Sequence, residues 1–266
     1  MLNIQKQLSR AVFLMVYSYH MKFGFFDSGL GGLLLMRSCM QQIPDHSYVY
    51  VGDTKNLPYG PRESQEICGL MTPYLLYLFQ SEQCDYVVVA CNTACARALP
   101  LFLKIHPEYT DRCINIISLT QYVLGNNSFK DVVLLGTQGT INSGIYTDVN
   151  DSIHAVAMPG LVEVIEQGMD LAAIAMVRDV LMEYPECSDL FLCCTHYVYL
   201  RETLRGLYPN ISIHGQDEYV RDCIQDLISG VDLDQDHELA DVKYFVSGDP
   251  NVYQNAYGIS CKKIIL

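Results

Sequence analysis

The chain has 266 residues, of which 50% are hydrophobic and 11% aromatic, so it can bury the core of one large domain or two small ones. Its formal net charge of -13 disfavours binding to nucleic acids and to anionic membranes, and any anionic ligand must be held by local donors. No apolar run approaches the roughly 20 residues of a membrane span. The eleven cysteines form no Cys-x-x-Cys pair, which favours free thiols and a cytoplasmic location.

Short apolar runs alternate along the chain with segments of helical period. The predicted strands are residues 22–26, 48–51, 86–90, 114–118, 132–136, 190–193, 211–214 and 243–246. The predicted helices are residues 32–41, 64–79, 94–105, 171–183, 198–207 and 218–228. This alternation predicts the α/β class with mostly parallel sheets. The acidic stretch at residues 232–238 is expected to form a surface loop.

Turn-rich segments follow five of the predicted strands. They are residues 27–32, 52–60, 91–93, 136–140 and 194–196. Ligands of open α/β sheets bind in the loops at the carboxyl ends of the strands. We therefore expect these five segments to line one site.

The first two loops can hold an anion without a positively charged side chain. Residues 27–32, which begin with Asp27 and Ser28, lead from a strand into a helix, so backbone amides and the helix N-terminus can bind a carboxylate. The segment lacks the P-loop pattern, and a plain tight turn is the alternative. In residues 52–60, Tyr59 can present its hydroxyl and Gly60 its amide, although the pattern taken alone favours a plain β-turn.

Cys91 lies where a predicted strand feeds a helix. Amide donors and the helix dipole at such a position are expected to lower the pKa of the thiol toward neutrality, so that the thiolate can remove a proton. Asn92 and Thr93 offer uncharged hydrogen bonds to a carboxylate or an amine. The alternative is a cysteine that only packs in the core.

The segment Cys194-Thr195-His196 repeats this arrangement about a hundred residues later. His196 can orient the thiol or exchange a proton with it. Alternation along the strand places Cys194 at the tip and packs Cys193. Zinc bound by Cys193, Cys194 and His196 is a rival, but adjacent cysteines point to opposite faces, so we predict no metal. Two opposed thiols suit inversion at a carbon centre.

Three further polar residues have weaker signals. Thr137 and Thr140 follow the strand at residues 132–136 and can bind an ammonium or a carboxylate, but Thr140 can equally cap a helix. Glu166 is a charge in an apolar helix, and on pattern alone it is a surface residue.

Five ordered motifs together resemble the glutamate racemase family, and the resemblance spans residue 22 to about residue 222. The motifs are Phe-Asp-Ser-Gly-Leu-Gly-Gly (26–32), Gly-Asp-Thr followed by Pro-Tyr-Gly (52–60), Ala-Cys-Asn-Thr-Ala (90–94), Gly-Thr-x-Gly-Thr-x-x-Ser (136–143) and Cys-Thr-His-Tyr (194–197).

The resemblance implies a cofactor-independent enzyme that interconverts L-glutamate and D-glutamate and supplies D-glutamate for peptidoglycan synthesis. It implies two similar doubly wound domains, residues 21–113 plus 228–266 and residues 114–227, with an active-site cleft between them and an N-terminal extension at residues 1–20. By position, Cys91 and Cys194 are the catalytic thiols, and Glu166 is the acidic partner of a catalytic His196. The implied substrate-binding residues are Asp27, Ser28, Tyr59, Gly60, Asn92, Thr93, Thr137, Thr140, Thr195 and His196.

Cys95, Cys193 and Val198 depart from the family's pattern, and these changes are expected to affect turnover rather than family membership. A racemase of aspartate or another acidic amino acid stays open as an alternative, as does a weakly active regulatory paralogue. Some members of the family are controlled by a cell-wall nucleotide precursor, so this ligand is a candidate regulator. A homodimer is also left open.

Overall fold

The computed structural model describes residues 20–146, 149, 153–229, 240–251, 254 and 258–266. Apart from His20, the predicted extension at residues 1–20 lies outside this part of the chain, and so does the predicted loop at residues 232–238. The strands are β1 (Lys22–Asp27), β2 (Ser47–Gly52), β3 (Tyr86–Val89), β4 (Cys113–Asn115), β5 (Val132–Gly136), β6 (Ile153–Ala157), β7 (Asp189–Cys193), β8 (Ser212–Gly215), β9 (Val242–Val246) and β10 (Lys262–Lys263).

The α-helices flank two sheets. They are α1 (Gly32–Gln42), α2 (Ser64–Leu76), α3 (Asn92–Arg97), α4 (Leu99–Ile105), α5 (Ile116–Asn126), α6 (Gln138–Asn142), α7 (Leu161–Glu166), α8 (Asp170–Glu183), α9 (Arg201–Leu207) and α10 (Gln216–Ile228). A π-helical turn, Tyr77–Ser81, continues α2, and a 3-10 turn, Tyr197–Leu200, precedes α9. No helix in the described ranges is long and apolar enough to cross a membrane.

Both sheets are parallel and doubly wound. The six-stranded sheet has the order β10-β9-β2-β1-β3-β4, and the four-stranded sheet has the order β6-β5-β7-β8. The predicted α/β class with mostly parallel sheets is therefore confirmed. In the larger sheet the chain moves from β1 to β2 on one side and then to β3 on the other, and it does the same from β5 to β6 and β7. Such reversals open a crevice at the carboxyl ends of the central strands.

The strand predicted at residues 114–118 is wrong beyond residue 115. Asn115 ends β4, and its side-chain oxygen accepts hydrogen bonds from the backbone amides of Ile117 and Ser118, which caps α5. The β-branched residues that favour a strand by propensity lie instead on the buried face of this helix, because a cap and tertiary packing override propensity. Since β4 pairs with β3, it crosses the predicted domain boundary at 113/114. The boundaries themselves stay a prediction.

Two further differences from prediction have a clear physical reason. The helix predicted at residues 94–105 is divided at Ala98, two residues before Pro100, because proline lacks an amide hydrogen and disfavours helical geometry before it. Strand β6 was not predicted. It is an edge strand in which only Ile153 is buried, so its alternation is weak.

Alternate residues of the smaller sheet face two different cores. Leu134 and Cys193 contribute to the larger core, which also holds β1 and the buried side of α10, whereas Leu135 and Cys194 contribute to the smaller core under α7 and α8. Helix α10 packs against α1 and α5, so one face of the smaller sheet is joined to the larger one. All eleven cysteines are free thiols.

Candidate active site

A cleft of about 340 Å³ opens at the carboxyl ends of the central strands of both sheets. Ten of the residues predicted from the sequence line it: Ser28, Tyr59, Gly60, Cys91, Asn92, Thr93, Thr137, Cys194, Thr195 and His196. Cys91 follows β3 and Cys194 follows β7, so the two thiols enter one cleft from different sheets. Cys194 lines the cleft, whereas Cys193 is fully buried in the larger core.

The Cys91 thiol lies just before α3, and its Sγ is 3.2 Å from Ser28 Oγ. Burial and the nearby charge of Asp27 raise its pKa to about 12, against the opposing effects of Ser28 and the Ala94 amide. The expectation of a lowered pKa is therefore wrong for Cys91. Desolvation of the thiolate outweighs the helix N-terminus.

Cys194 has a different electrostatic environment. Its Sγ is 3.9 Å from His196 Nδ1, and His196 Nε2 is 3.0 Å from Glu166 Oε1. Burial alone would lower the pKa of His196, but the hydrogen bonds to Cys194 and Glu166 raise it to about 10. At neutral pH the ring is therefore an imidazolium, and its positive charge lies beside the Cys194 sulfur. Glu166 does not line the cleft but binds His196, which does, and its side chain is 24% exposed.

Asp27 accepts hydrogen bonds from the loops after β1 and β7 and so links the two sheets beside the cleft. Thr195 Oγ1 donates to Asp27 Oδ2 at 3.1 Å, and the Gly29 amide donates to Oδ1 at 2.7 Å. Asp27 is 1% exposed, and this burial raises the pKa of its carboxyl group. The structure thus places Asp27 beside the cleft-lining residues rather than among them.

A hydroxyl bridge connects the loops after β3 and β5. Thr93 Oγ1 lies 3.0 Å from Thr137 Oγ1, which lies 3.0 Å from Thr140 Oγ1. Thr137 caps α6 by accepting a hydrogen bond from the Thr140 amide, so the capping residue is Thr137 and not Thr140. Thr140 is fully buried behind Thr137.

Tyr59 lines the cleft, and its hydroxyl is already engaged in a hydrogen bond to another side chain. The hydroxyl donates to Asp53 Oδ2 at 2.7 Å, and Ser247 Oγ donates to the other oxygen of the same carboxylate at 2.7 Å. Burial, followed by the charge of Asp53, raises the pKa of Tyr59. The phenol therefore stays neutral and is held in place at the side of the cleft.

Leu57, Pro58 and Gln138 also line the cleft and lie within the predicted loop segments, whereas six cleft residues lie outside them: Pro61, Met158, Pro159, Gly160, Val162 and Glu163. The three from Met158 to Gly160 follow β6, so the carboxyl-end rule would have found them had that strand been predicted. No lysine or arginine of the described chain lines the cleft. An anionic ligand would therefore be held by amides, hydroxyls and the His196 ring.

The described residues include no cluster of three His, Cys, Asp or Glu side chains placed to hold a metal ion. Cys193 and Cys194 face different cores, which removes the geometry that the zinc alternative needs.

Gly31, in the loop after β1, lies close against the loop that follows β7. A Cβ atom there would lie 2.2 Å from Thr195 Oγ1 and 2.7 Å from the His196 amide nitrogen. We expect Gly31→Ala to lower the free energy of unfolding by about 1–3 kcal/mol through overpacking. Urea denaturation measures this change. Gly69→Ala is the matched control: a Cβ atom there in α2 would meet no atom within 4 Å apart from its chain neighbours and the backbone of its own helix, and alanine should be neutral or stabilising. Equal stability of the two variants would contradict the predicted steric conflict.

The chain is similar in sequence and in fold to glutamate racemases. A glutamate racemase of Cereibacter sphaeroides is 30% identical over 261 residues, covering 88% of this chain and 94% of the relative. The crystal structure of Thermus thermophilus glutamate racemase in complex with beta-chloro-D-alanine superimposes with a TM-score of 0.75 at 25% identity, covering 91% of this chain and 95% of that one.

Escherichia coli glutamate racemase, solved in complex with L-glutamate and the activator UDP-MurNAc-ala, shares the fold at a TM-score of 0.67 and 18% identity, covering 92% of this chain and 97% of that one. No protein-family model matches the sequence. Sequence similarity over nearly the full length of a 30% identical relative, together with the shared fold, establishes the family of this chain. The chain belongs to the glutamate racemase family, whose members are isomerases that act on amino acids.

Proposed function

We propose that this protein interconverts L-glutamate and D-glutamate without a cofactor, with Cys91 and Cys194 as the two proton-transfer groups. The observation that carries the proposal is that both thiols line one cleft, each from the end of a strand in a different sheet. An α-carbon bound between them can lose its proton to one sulfur and gain a proton from the other, which inverts the centre.

The unequal environments of the thiols support a defined starting state. The pKa of Cys91 is about 12, so it begins as the thiol, whereas the Cys194 sulfur lies 3.9 Å from a nitrogen of the positively charged His196 ring. In one direction the Cys194 thiolate takes the α-proton while Cys91 donates its own. In the opposite direction the two roles are exchanged: the Cys91 sulfur takes the α-proton and Cys194 donates one. Asp27 and Ser28 lie beside Cys91.

Removal of the α-proton places extra negative charge next to the α-carboxylate. Neutral donors stabilise such charge best when they are fixed in advance and shielded from water. The amides that follow β1, β3 and β7 and the side chains of Ser28, Asn92 and Thr93 lie at the cleft wall and fit this role. These are the groups that also suit a dicarboxylate substrate.

The test is racemisation in deuterated water. Thiol hydrogens exchange with solvent, so each newly formed enantiomer should carry deuterium at the α-carbon, starting from either L- or D-glutamate. Chiral chromatography coupled to mass spectrometry measures both the inversion and the label. Inverted product without solvent deuterium would contradict a two-thiol mechanism with solvent-exchangeable protons.

The same chiral assay with L- and D-aspartate separates the alternative substrates. Inversion of aspartate but not glutamate would replace the proposed substrate, and no inversion of either would favour a regulatory paralogue.

The proposed reaction implies a use for its product, and a relative suggests a regulator. The D-glutamate product would supply peptidoglycan synthesis in the cytoplasm. The Escherichia coli racemase binds the activator UDP-MurNAc-ala, which supports a similar nucleotide precursor as a regulator here. Adding this nucleotide to the chiral assay at subsaturating glutamate tests that role.

A further inference from the structure

Behind the cleft lies a buried chain of amide and hydroxyl groups centred on Gln216. Its Oε1 accepts from Asn92 Nδ2 at 2.6 Å, and its Nε2 donates to Asn92 Oδ1 at 3.1 Å and to Thr120 Oγ1 at 2.9 Å. The Tyr146 hydroxyl donates to Asn92 Oδ1 at 3.1 Å. All four side chains are at most 3% exposed, so this network is shielded from water.

The direction of every bond in this network is set from one helical carbonyl. Thr120 Oγ1 donates its only hydrogen to the Ile116 carbonyl at 2.9 Å, so toward Gln216 it can only accept. The Gln216 atom facing Thr120 must therefore be the amide nitrogen, and the atom facing Asn92 Nδ2 must be the oxygen. The hydroxyl of Thr120 thus fixes the orientation of the Gln216 amide.

The orientation of Gln216 determines what Asn92 can offer a ligand. Both acceptor positions of Asn92 Oδ1 are occupied, by Gln216 Nε2 and by the Tyr146 hydroxyl. One hydrogen of Asn92 Nδ2 is bound to Gln216 Oε1, which leaves one N–H free. Because Asn92 lines the cleft, it can present a donor but not an acceptor.

We propose that Gln216 is a positioning residue that holds Asn92 as a carboxylate donor and prevents its amide oxygen from facing the ligand. The inference rests on the proposed function, since it assigns the substrate's carboxylate, and not its ammonium group, to Asn92. The network links the start of α10, which follows strand β8 of the smaller sheet, to the start of α3, which follows strand β3 of the larger sheet. Gln216 therefore acts through Asn92 and does not itself line the cleft.

The test replaces Gln216 by methionine, which has a similar length but no hydrogen-bonding amide. Asn92 is then free to rotate, so we expect KM for both glutamate enantiomers to rise about three- to tenfold while kcat changes less than about threefold. The dissociation constant of glutarate, a dicarboxylate without an amine, should rise by the same factor in calorimetry. A change in kcat with an unaltered KM would overturn the proposal.

Thr120 supplies a second variant pair that avoids a large change of volume. Thr120→Val removes the acceptor that orients Gln216 and should raise KM and the glutarate dissociation constant about threefold, whereas Thr120→Ser should restore both. Gln121→Met is the matched control, because this glutamine lies next in α5 but donates to the Ile145 carbonyl. It should leave both quantities unchanged.

Unchanged glutarate binding in folded Gln216→Met would overturn the inference, and if that variant fails to fold, Thr120→Val alone decides in the same way. Glutarate binding does not require turnover. If the unmodified protein binds glutarate but racemises no glutamate, the proposed function fails while the role of Gln216 is still measured.

Discussion

Replacing Cys194 by serine should abolish racemisation of glutamate in both directions, and Cys91→Ser should do the same. A serine hydroxyl is a far weaker acid than a thiol, so each variant lacks a proton donor or acceptor on one face of the substrate. Loss of a general acid or base costs about 10²–10⁴ in rate. Glutamate binding should stay within about tenfold, or roughly 1.4 kcal/mol, because neither thiol is a principal carboxylate donor. Chiral chromatography measures turnover, and calorimetry measures binding.

Each variant keeps one working thiol, and this leads to a sharper expectation. The remaining thiol can remove and return a proton on the same face, so in deuterated water Cys91→Ser and Cys194→Ser should each label one glutamate enantiomer, and opposite ones, without inverting it. Cys193→Ala is the matched control: its thiol adjoins Cys194 in sequence but is buried in the larger core, so turnover should persist. Near-native turnover in both directions by either serine variant would rule out the two-thiol scheme.

Replacing Glu166 by glutamine should move the alkaline limit of activity to lower pH. His196 has a pKa of about 10 against an ordinary value of 6.5, so the imidazolium persists until pH approaches 10. A charge-assisted hydrogen bond contributes about 1.5–3 kcal/mol, equivalent to about one to two pKa units. The pH profile of kcat/KM should therefore lose its alkaline side about one to two units earlier in Glu166→Gln.

The same pKa sets a pH dependence of stability. Because the folded protein binds the His196 proton more tightly than the unfolded chain, the resulting stabilisation is complete below about pH 6.5 and is lost as pH rises toward about 10. Thermal unfolding measured across this window should show a smaller decrease in Tm for Glu166→Gln than for the unmodified protein.

Glu163→Gln is the control for these two measurements. Glu163 carries the same charge one turn earlier in α7 and lines the cleft, but His196 Nε2 pairs with Glu166. Its replacement should leave the alkaline limit in place. An equal displacement in both variants would mean that general negative charge, and not the specific hydrogen bond, raises the pKa of His196.

The sequence was sufficient to predict the α/β class and most strands, since these depend on local apolar runs that the sheets bury. It failed at residues 116–118, where isoleucines suggest a strand but the side chain of Asn115 caps a helix. It failed also at β6, an exposed edge strand without a continuous apolar run. The first error comes from a cap made by a single side chain, and the second from an edge strand that has little apolar surface to bury.

The site was predictable as far as loops carry a chemical signature. The thiols, glycines and hydroxyls after β1, β3, β5 and β7 were found by residue type, whereas Gln216 was missed although it directly follows β8. Its role depends on Thr120 and Asn92, which are far apart in sequence. Glu166 was identified by resemblance alone, because its pattern is that of a surface residue. The raised pKa of Cys91 required knowledge of its burial.

The unlike surroundings of the two cleft thiols make chemically identical residues distinguishable to an electrophile. At neutral pH the Cys91 sulfur is protonated, since its pKa is about 12, and a protonated sulfur is a poor nucleophile. The Cys194 sulfur lies beside a cation. A small alkylating reagent that enters the cleft would mark Cys194 first, so selective covalent inhibition is built into the asymmetry of the cleft.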